Sequence, residues 1–302
     1  MTAETARRPT ATQWLAGARP RTLPAACSPV IAGTGLAVFE QGFSWVAAIL
    51  ALVVSLALQV GVNYANDYSD GIRGADTERV GPLRLVGSGL ASPPLVKRAA
   101  FASFGVAGLA GLALVIMTEY WWLLVVGVAC ILAAWYYTGG RRPYGYVGLG
   151  EVFVFVFFGL VAVCGTVYVQ VGRISLATLL TGVWVGALAC AILVTNNLRD
   201  IRGDARVGKR TMATRLGDAR TRVWYVILVG LGAPLIIAVA WLTTWWALLG
   251  LAGLVLIIPA VRVVMSGGSG QALIGVLRAT SLAELVCAIG FSAGLVLGAF
   301  PG

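Results

Sequence analysis

Long apolar runs, separated by short polar connections, dominate this chain of 302 residues. Hydrophobic residues make up 59% of it and charged residues only 11%, whereas soluble domains carry roughly 25% charged residues. A helix needs about 20 apolar residues to cross the roughly 30 Å hydrocarbon layer of a membrane. We therefore predict an all-α membrane protein. Nine runs are long enough to be transmembrane helices, at about 23–39, 45–66, 99–117, 120–138, 147–171, 176–198, 223–242, 245–264 and 279–300.

The basic residues predict the orientation of these helices. The connections after the odd-numbered runs are very short, and every Lys and Arg except Arg173 lies in the N-terminal segment or beside the other connections. By the positive-inside rule, that side faces the cytoplasm, with the N-terminus inside and the C-terminus outside. We expect residues 1–22 to form a cytoplasmic segment and residues 23–302 a single membrane domain. Because topology explains the net charge of +10, the charge does not indicate nucleic-acid binding.

The residue types present restrict any metal site. The chain has no histidine, and its five cysteines all lie in apolar runs, where we interpret them as small buried side chains. A metal must then be held by oxygen ligands, which favours a hard cation such as Mg²⁺.

Two polar segments lie where the second and sixth runs end, and each places amides and carboxylates on one helix face. In the first segment, the residues spaced at i, i+3, i+4 and i+7 are Asn63, Asn66, Asp67 and Asp70, and Asp76 follows. In the second segment, the residues spaced at i, i+4 and i+8 are Asn196, Asp200 and Asp204. Both faces lie on the predicted cytoplasmic side, so we expect them to point to one site.

Clustered carboxylates repel one another unless cations compensate their charge. Mg²⁺ binds a few carboxylates together with phosphate oxygens of a substrate. We therefore predict a diphosphate held by Mg²⁺ between the two segments, with the metal ligands Asp67, Asp70, Asp76, Asp200 and Asp204. Basic residues would compensate the remaining phosphate charge, and the candidates are Lys209, Arg210, Arg141 and Arg142. The alternative, solvated loops with local ion pairs, does not explain why two such segments occupy equivalent helix ends.

Several segments resemble the UbiA superfamily of intramembrane aromatic prenyltransferases. Besides the two Asp-rich segments, the similar stretches are 17–24, 81–89, 136–140, 143–146, 150–159 and 208–211. The Tyr-Gly-Tyr and Phe-rich stretches resemble the branch that prenylates 1,4-dihydroxy-2-naphthoate. The first motif departs from the usual N-x-x-x-D-x-x-x-D, because Asp76 falls two residues late. Lys209 falls one residue early relative to some members, so Lys209 and Arg210 compete for the same role.

The resemblance implies nine helices around a central cavity and a Mg²⁺-dependent reaction, with two ions bridging the diphosphate. An allylic polyprenyl diphosphate would ionise, and dihydroxynaphthoate would capture the cation and lose carbon dioxide, in the menaquinone pathway of a bacterial plasma membrane. The implied catalytic residues are Asp70, Asp200 and Lys209. The implied substrate-binding residues are Asn63, Asn66, Tyr68, Arg84, Tyr136, Tyr137, Arg141, Glu151, Asn196, Lys209 and Arg210.

Aromatic and acidic residues near the helix ends add further expectations. Aromatic faces stabilise cations, and the candidates are Tyr64, Tyr68, Tyr136 and Tyr137, although tyrosines also serve as interfacial anchors. An ionisable group inside an apolar run is costly and usually functional. We expect an acceptor-side role for Glu151 and a structural ion pair between Glu284 and Arg278.

Two alternative functions are weighed against this interpretation. The first is prenyl transfer to another acceptor such as 4-hydroxybenzoate. The second is cation- or proton-coupled transport, but transporters generally place acidic side chains near the middle of the bilayer. The Asp-rich segments lie at helix ends instead.

Overall fold

The computed structural model describes residues 9–74 and 83–300 and contains no β-strand in these ranges. The apolar runs form helices, which confirms the predicted all-α class. In chain order these helices are α1 Ala11–Gly17, α2 Leu23–Phe39, α3 Trp45–Ile72, α4 Pro93–Thr118, α5 Leu123–Tyr136, α6 Gly150–Val171, α7 Leu176–Arg206, α8 Met212–Leu242, α9 Trp245–Val255, α10 Ile258–Met265 and α11 Gln271–Ala299.

The number of membrane spans differs from the predicted nine. Within the described residues, seven helices are long and apolar enough to cross a membrane, counting α1 and α2 as one. The helices α9 and α10 meet at an angle of 43° and make an eighth span if they are taken together. The helix α5 coincides with the predicted fourth span but has only 14 residues, fewer than the roughly 20 that a straight crossing requires.

Glycines allow the helices to pack closely. A side chain added at Gly294 of α11 would lie 2.0 Å from the carbonyl oxygen of Trp246 in α9, and one at Gly159 of α6 would lie 2.5 Å from that of Gly182 in α7. Such close approach of backbones is how helices associate in a membrane, where apolar side chains gain little over lipid. The crossing of α6 and α7 coincides with a π-helical turn at Phe155–Val161. Turns of this kind are rare and often mark functional sites.

The connections that carry the polar residues meet at one end of the bundle, which we call the polar end. The Arg73 guanidinium, at the end of α3, donates hydrogen bonds to the carbonyl oxygens of Thr138 and Gly140 at 2.5 and 2.6 Å. At the opposite end, Arg173 pairs with Glu40 at 3.1 Å. Arg73 and Arg173 therefore lie at opposite ends of the bundle.

Candidate active site

A cavity of about 410 Å³, which we call the chamber, opens beneath the polar end. Its walls are mostly apolar side chains of α2 to α7, and its far end includes Leu112, Leu123 and Val169. Its head end, next to the polar end, is lined by polar side chains: Arg19, Gln59, Asn63, Asn66, Tyr137, Tyr144 and Asn196. The shape suits a molecule with a polar head and a long apolar tail.

The end of α3 places Asp70 just outside the chamber. Asn66 lines the chamber and accepts a hydrogen bond from the Thr138 hydroxyl at 2.7 Å, and Asp70 lies one turn further along the same helix face. The Asp70 carboxylate accepts hydrogen bonds from the Tyr146 hydroxyl at 2.7 Å and from Arg84 at 3.3 Å. It is only 4% exposed.

Asp67 has a different environment. Its side chain is fully buried, and its two oxygens accept the backbone N–H groups of Leu85 and Val86 at 2.6 and 3.0 Å. These bonds hold the segment 83–90, which carries Arg84, against α3. The structure therefore shows Asp67 in a bracing contact with this segment, whereas Asp70, on the next turn, accepts hydrogen bonds from side chains. The predicted ligand Asp76 lies outside the described residues.

The end of α7 presents the second pair of carboxylates. Asp200 forms a two-point ion pair with Arg199, at 2.8 and 2.7 Å. Asp204, one turn further on, lies 3.7 Å from the ammonium group of Lys209. The side chains of Arg199, Asp200, Asp204 and Lys209 are all largely buried. Water therefore screens the interactions between their charges less than it would at an exposed surface.

Tyr146 connects the two acidic segments. While its hydroxyl donates to Asp70, its ring lies 4.9 Å from the Lys209 ammonium group and 5.2 Å from the Arg73 guanidinium, both within range of a cation–π contact. Burial raises the pKa of the Tyr146 phenol, and the charge of Asp70 raises it further. The hydroxyl therefore remains a donor at neutral pH, and the chain Asp70–Tyr146–Lys209–Asp204 brings the ends of α3 and α7 to one site.

The donor chemistry of this site fits Mg²⁺. Within the described ranges, no group of three or more His, Cys, Asp or Glu side chains is close enough to hold a metal on its own. Mg²⁺ does not need such a cage, because it is typically bound by one or two carboxylates plus waters and substrate phosphates. Asp70, Asp200 and Asp204 supply oxygen donors of this kind.

Of the four candidate tyrosines, only Tyr137 lines the chamber. Tyr136 is 50% exposed on the outer surface, because consecutive residues of a helix point about 100° apart. Tyr68 is partly buried and stacks against Trp135, with ring centroids 6.1 Å apart. The Tyr64 hydroxyl donates to the backbone of α1. Tyr64, Tyr68 and Tyr136 therefore lie outside the chamber lining.

The basic candidates also separate by position. Arg84 and Lys209 are largely buried beside Asp70 and Asp204. Arg141, Arg142 and Arg210 are exposed, and only the backbone N–H of Arg210 contacts the site region, donating to the carbonyl oxygen of Tyr146 at 2.9 Å. The structure therefore favours Lys209 over Arg210 beside the acidic segments.

Sequence reasoning did not single out Arg19, which lines the head end of the chamber. It occupies a left-handed backbone conformation (φ 55°) between α1 and the 3₁₀ turn Pro20–Thr22, which is uncommon for a residue other than glycine and often marks a functional site. The Asn63 amide holds this turn by donating to the Ala18 carbonyl oxygen and the Thr22 hydroxyl at 2.8 and 3.1 Å. The available signal was an arginine directly before Pro20, the proline that begins this turn.

The two intramembrane glutamates are both buried. Glu151 is 4% exposed, and its Oε1 atom accepts a hydrogen bond from the Asn197 amide at 2.9 Å. Glu284 is fully buried in α11, and its carboxylate oxygens have no hydrogen-bond partner among the described residues. The predicted pair with Arg278 is wrong, because a separation of six residues turns the two side chains to different helix faces.

Comparison with known proteins agrees with this geometry. The sequence profile of the UbiA prenyltransferase family matches residues 26–272. The 1,4-dihydroxy-2-naphthoate octaprenyltransferase of Mycobacterium tuberculosis is 53% identical over 95% of this chain and 97% of its own length. The protein of the same description from Haemophilus influenzae is 38% identical over 94% of this chain and 96% of its own length.

Solved structures show the same fold. A UbiA homolog from Archaeoglobus fulgidus bound to GPP and Mg²⁺ superposes with a TM-score of 0.62 at 15% identity, covering 92% of this chain and 99% of that one. The apo structure of a UbiA homolog from Aeropyrum pernix K1 gives a TM-score of 0.65 at 17% identity, covering 90% and 97%.

Proposed function

Because the chain belongs to the UbiA prenyltransferase family, we propose that it transfers a polyprenyl group from an allylic polyprenyl diphosphate to 1,4-dihydroxy-2-naphthoate. Diphosphate and carbon dioxide leave, and the product is a demethylmenaquinol, which makes this a step of menaquinone biosynthesis. The activity named for relatives aligned over nearly the whole chain favours naphthoate over 4-hydroxybenzoate, and a transferase over a transporter.

The observation that carries the proposal is the contact chain from Asp70 through Tyr146 and Lys209 to Asp204. It joins two acidic helix ends directly above a chamber with apolar walls. A diphosphate at the polar end with its prenyl tail in the chamber matches both halves of this arrangement.

The residues of the polar end bind and stabilise the leaving diphosphate. Asp70, Asp200 and Asp204 would hold Mg²⁺, in our proposal two ions, and the metal supplies charge compensation as the carbon–oxygen bond breaks. Lys209 and Arg84 add positive charge at the same place, where a preorganised donor is worth more than in water. Asp67 acts indirectly, by bracing the segment that carries Arg84.

The aromatic wall of the head end protects the allylic cation. Tyr144 stacks on Phe153 with ring centroids 3.9 Å apart, and both residues line the chamber together with Tyr137. Aromatic faces attract a cation, and a dry wall keeps water from capturing it before the acceptor does. Arg19, which also lines the head end, is suited to bind the carboxylate of the acceptor.

The proposed orientation places the polar end on the cytoplasmic side of the plasma membrane, where the basic residues lie by the positive-inside rule. Soluble acceptor and Mg²⁺ would then enter from the cytoplasm, while the polyprenyl tail stays in the bilayer.

Mass spectrometry of the reaction products tests the proposed function. Purified protein in lipid nanodiscs, given Mg²⁺, a polyprenyl diphosphate and either dihydroxynaphthoate or 4-hydroxybenzoate, should form only the decarboxylated naphthoate product, and EDTA should stop the reaction. A product formed only from 4-hydroxybenzoate, or an undiminished rate in EDTA, would contradict the proposal.

A further inference from the structure

The aromatic side chains that line the chamber come from one stretch of the chain. All of those among the described residues belong to α6 or to the segment between α5 and α6, and they are Tyr137, Tyr144, Phe153, Phe157 and Phe158. The described lining residues of α2, α3, α4, α5 and α7 are small, aliphatic or polar and include no aromatic ring. The chamber therefore offers two kinds of apolar surface to a ligand.

The π-helical turn of α6 keeps its side chains directed at the chamber. The lining residues of α6 recur at every fourth position, at Phe153, Phe157, Val161, Gly165 and Val169. An α-helix has 3.6 residues per turn, so four such steps would rotate the stripe by about 160° and turn its end away from the chamber. The turns of a π-helix are wider. The π turn at Phe155–Val161 compensates for this rotation, and Phe157 faces the chamber together with Phe153.

Three of the rings follow one another and form what we call the aromatic column. Tyr144 stacks on Phe153 with ring centroids 3.9 Å apart, and Phe157 follows Phe153 at 6.0 Å with the ring planes inclined by 26°. The same turn packs on α7 through Gly159, where an added side chain would lie 2.6 Å from the Cα atom of Gly186. Because no side chain separates the two backbones at this crossing, α6 cannot move closer to α7, and the column keeps its position.

The aromatic column begins where the reaction occurs. Tyr144 lies at the head end, next to the polar end, and Phe157 lies one turn beyond Phe153 along α6. The acceptor has to reach the first carbon of the prenyl chain, which is attached to the diphosphate, so its rings lie at the head end. An aliphatic tail gains from burial against any apolar wall, whereas an aromatic ring gains further free energy from contact with other rings. Each substrate therefore matches a different surface of the chamber.

We propose that the aromatic column binds the unsubstituted ring of dihydroxynaphthoate and thereby selects a two-ring acceptor, an inference that rests on the proposed function. The substituted ring then directs its carboxyl and hydroxyl groups towards the polar side chains of the head end. The prenyl tail lies along the aliphatic walls of α3 and α4, whose lining residues include Leu58 and Leu112. Phe157, which the proposed prenyl-transfer chemistry does not use, becomes a specificity-determining residue.

The test measures what the second ring contributes to binding. Two competitive inhibitors of naphthoate prenylation, 1-hydroxy-2-naphthoate and 2-hydroxybenzoate, differ only by the fused ring, and the ratio of their inhibition constants gives the advantage of the two-ring compound. Phe157→Leu keeps an apolar side chain but removes the aromatic ring, so this advantage should fall about two- to tenfold. Phe157→Tyr retains the ring and should keep the advantage. The KM for polyprenyl diphosphate should change little in both variants.

Two further variants are controls. Phe101→Leu makes the same change on α4 at a half-exposed residue outside the chamber lining, and it should alter neither constant. Leu58→Ala, on the aliphatic wall, should raise the KM for polyprenyl diphosphate and keep the advantage of the two-ring inhibitor. Because both inhibitors are measured on the same variant, a loss of folded protein lowers the rate but not the ratio.

The result separates this inference from the proposed function. An unchanged two-ring advantage in Phe157→Leu, or a higher KM for polyprenyl diphosphate in that variant without a change in the ratio, would overturn the inference alone. Absence of prenylated naphthoate with the wild-type protein would overturn the proposed function as well.

Discussion

At the scale of single residues, the acidic side chains of the polar end differ in what surrounds them. Asp70, Asp200 and Asp204 each have a basic partner, which a diphosphate and its metal can replace or share. Each oxygen of Asp67 instead accepts one backbone N–H group. Asp67 and Asp70, three positions apart in one motif, therefore have different surroundings, and we propose different roles for them.

Replacing Asp70 or Asp204 with asparagine should lower kcat by about 100-fold or more, because each change removes charge that stabilises the departing diphosphate. Asp218→Asn is the matched control, since this exposed aspartate pairs with Arg222 in α8 and is not part of the site. Turnover of dihydroxynaphthoate in nanodiscs measures the effect. Wild-type rates in both site variants would rule out their role.

Asp67→Asn should weaken the attachment of the segment 83–90 to α3 and leave the chemical step itself unchanged. An amide group there faces two N–H donors with only one oxygen, and an unmet buried donor costs about 1–3 kcal/mol. We expect a lower unfolding temperature and a higher KM for polyprenyl diphosphate, with Mg²⁺ affinity retained. Loss of Mg²⁺ binding with unchanged stability would instead make Asp67 a direct ligand.

Tyr146→Phe keeps the ring beneath Lys209 and removes only the hydroxyl that contacts Asp70. A hydrogen bond to a charged group contributes about 1.5–3 kcal/mol, so kcat/KM should fall roughly tenfold to hundredfold. The raised pKa keeps the phenol protonated up to and beyond the ordinary tyrosine value of about 10. The ratio of wild-type to variant rates should therefore stay constant between pH 6 and 9, and a ratio that falls as the pH rises in this range would show that the phenol ionises.

The spacing of the acidic residues in the sequence was enough to predict that Asp70 lies on one face at the end of α3 and that Asp200 and Asp204 share one face at the end of α7. It was not enough for Arg19 or for the choice among the tyrosines. Arg19 reaches the chamber only because Asn63 holds a left-handed turn against α3. Tyr136 and Tyr137 are neighbours in sequence, and only the packing around the end of α5 decides which of them faces inward.

At the scale of whole elements, the apolar runs predicted the positions of the helices because burial in lipid requires continuous apolar sequence. Composition could not predict that α5 stops after 14 residues or that α9 and α10 meet at 43°. Both features depend on which neighbouring helix each segment packs against.

The contact between α11 and α9 gives a prediction at this scale. Gly294→Val should destabilise the protein by about 1–3 kcal/mol, because its side chain would overlap the backbone at Trp246. Gly105→Ala is the matched control, since Gly105 is exposed on α4 with no atom within 4 Å of an added carbon. Thermal unfolding in detergent compares the two, and equal unfolding temperatures would contradict the close packing.

At the scale of the whole molecule, the chamber extends from the polar end to the far ends of α4, α5 and α6. Its depth should limit the length of the prenyl chain. Gly165→Phe places a ring in open space on the chamber wall, so turnover should shift to shorter polyprenyl diphosphates. Gly105→Phe, on the outer surface, should leave the preference for chain length unchanged. An identical chain-length preference in the two variants would mean that the prenyl tail lies outside the chamber.

The central claim is that the ends of α3 and α7 form one diphosphate site. Anomalous diffraction from crystals grown with Mn²⁺ and a non-ionisable prenyl thiolodiphosphate tests it most directly. We predict Mn²⁺ peaks bound by carboxylates of both helices, Asp70 on one side and Asp200 or Asp204 on the other, with the diphosphate between them. Metal bound by one helix alone, or a diphosphate located away from the polar end, would contradict the account.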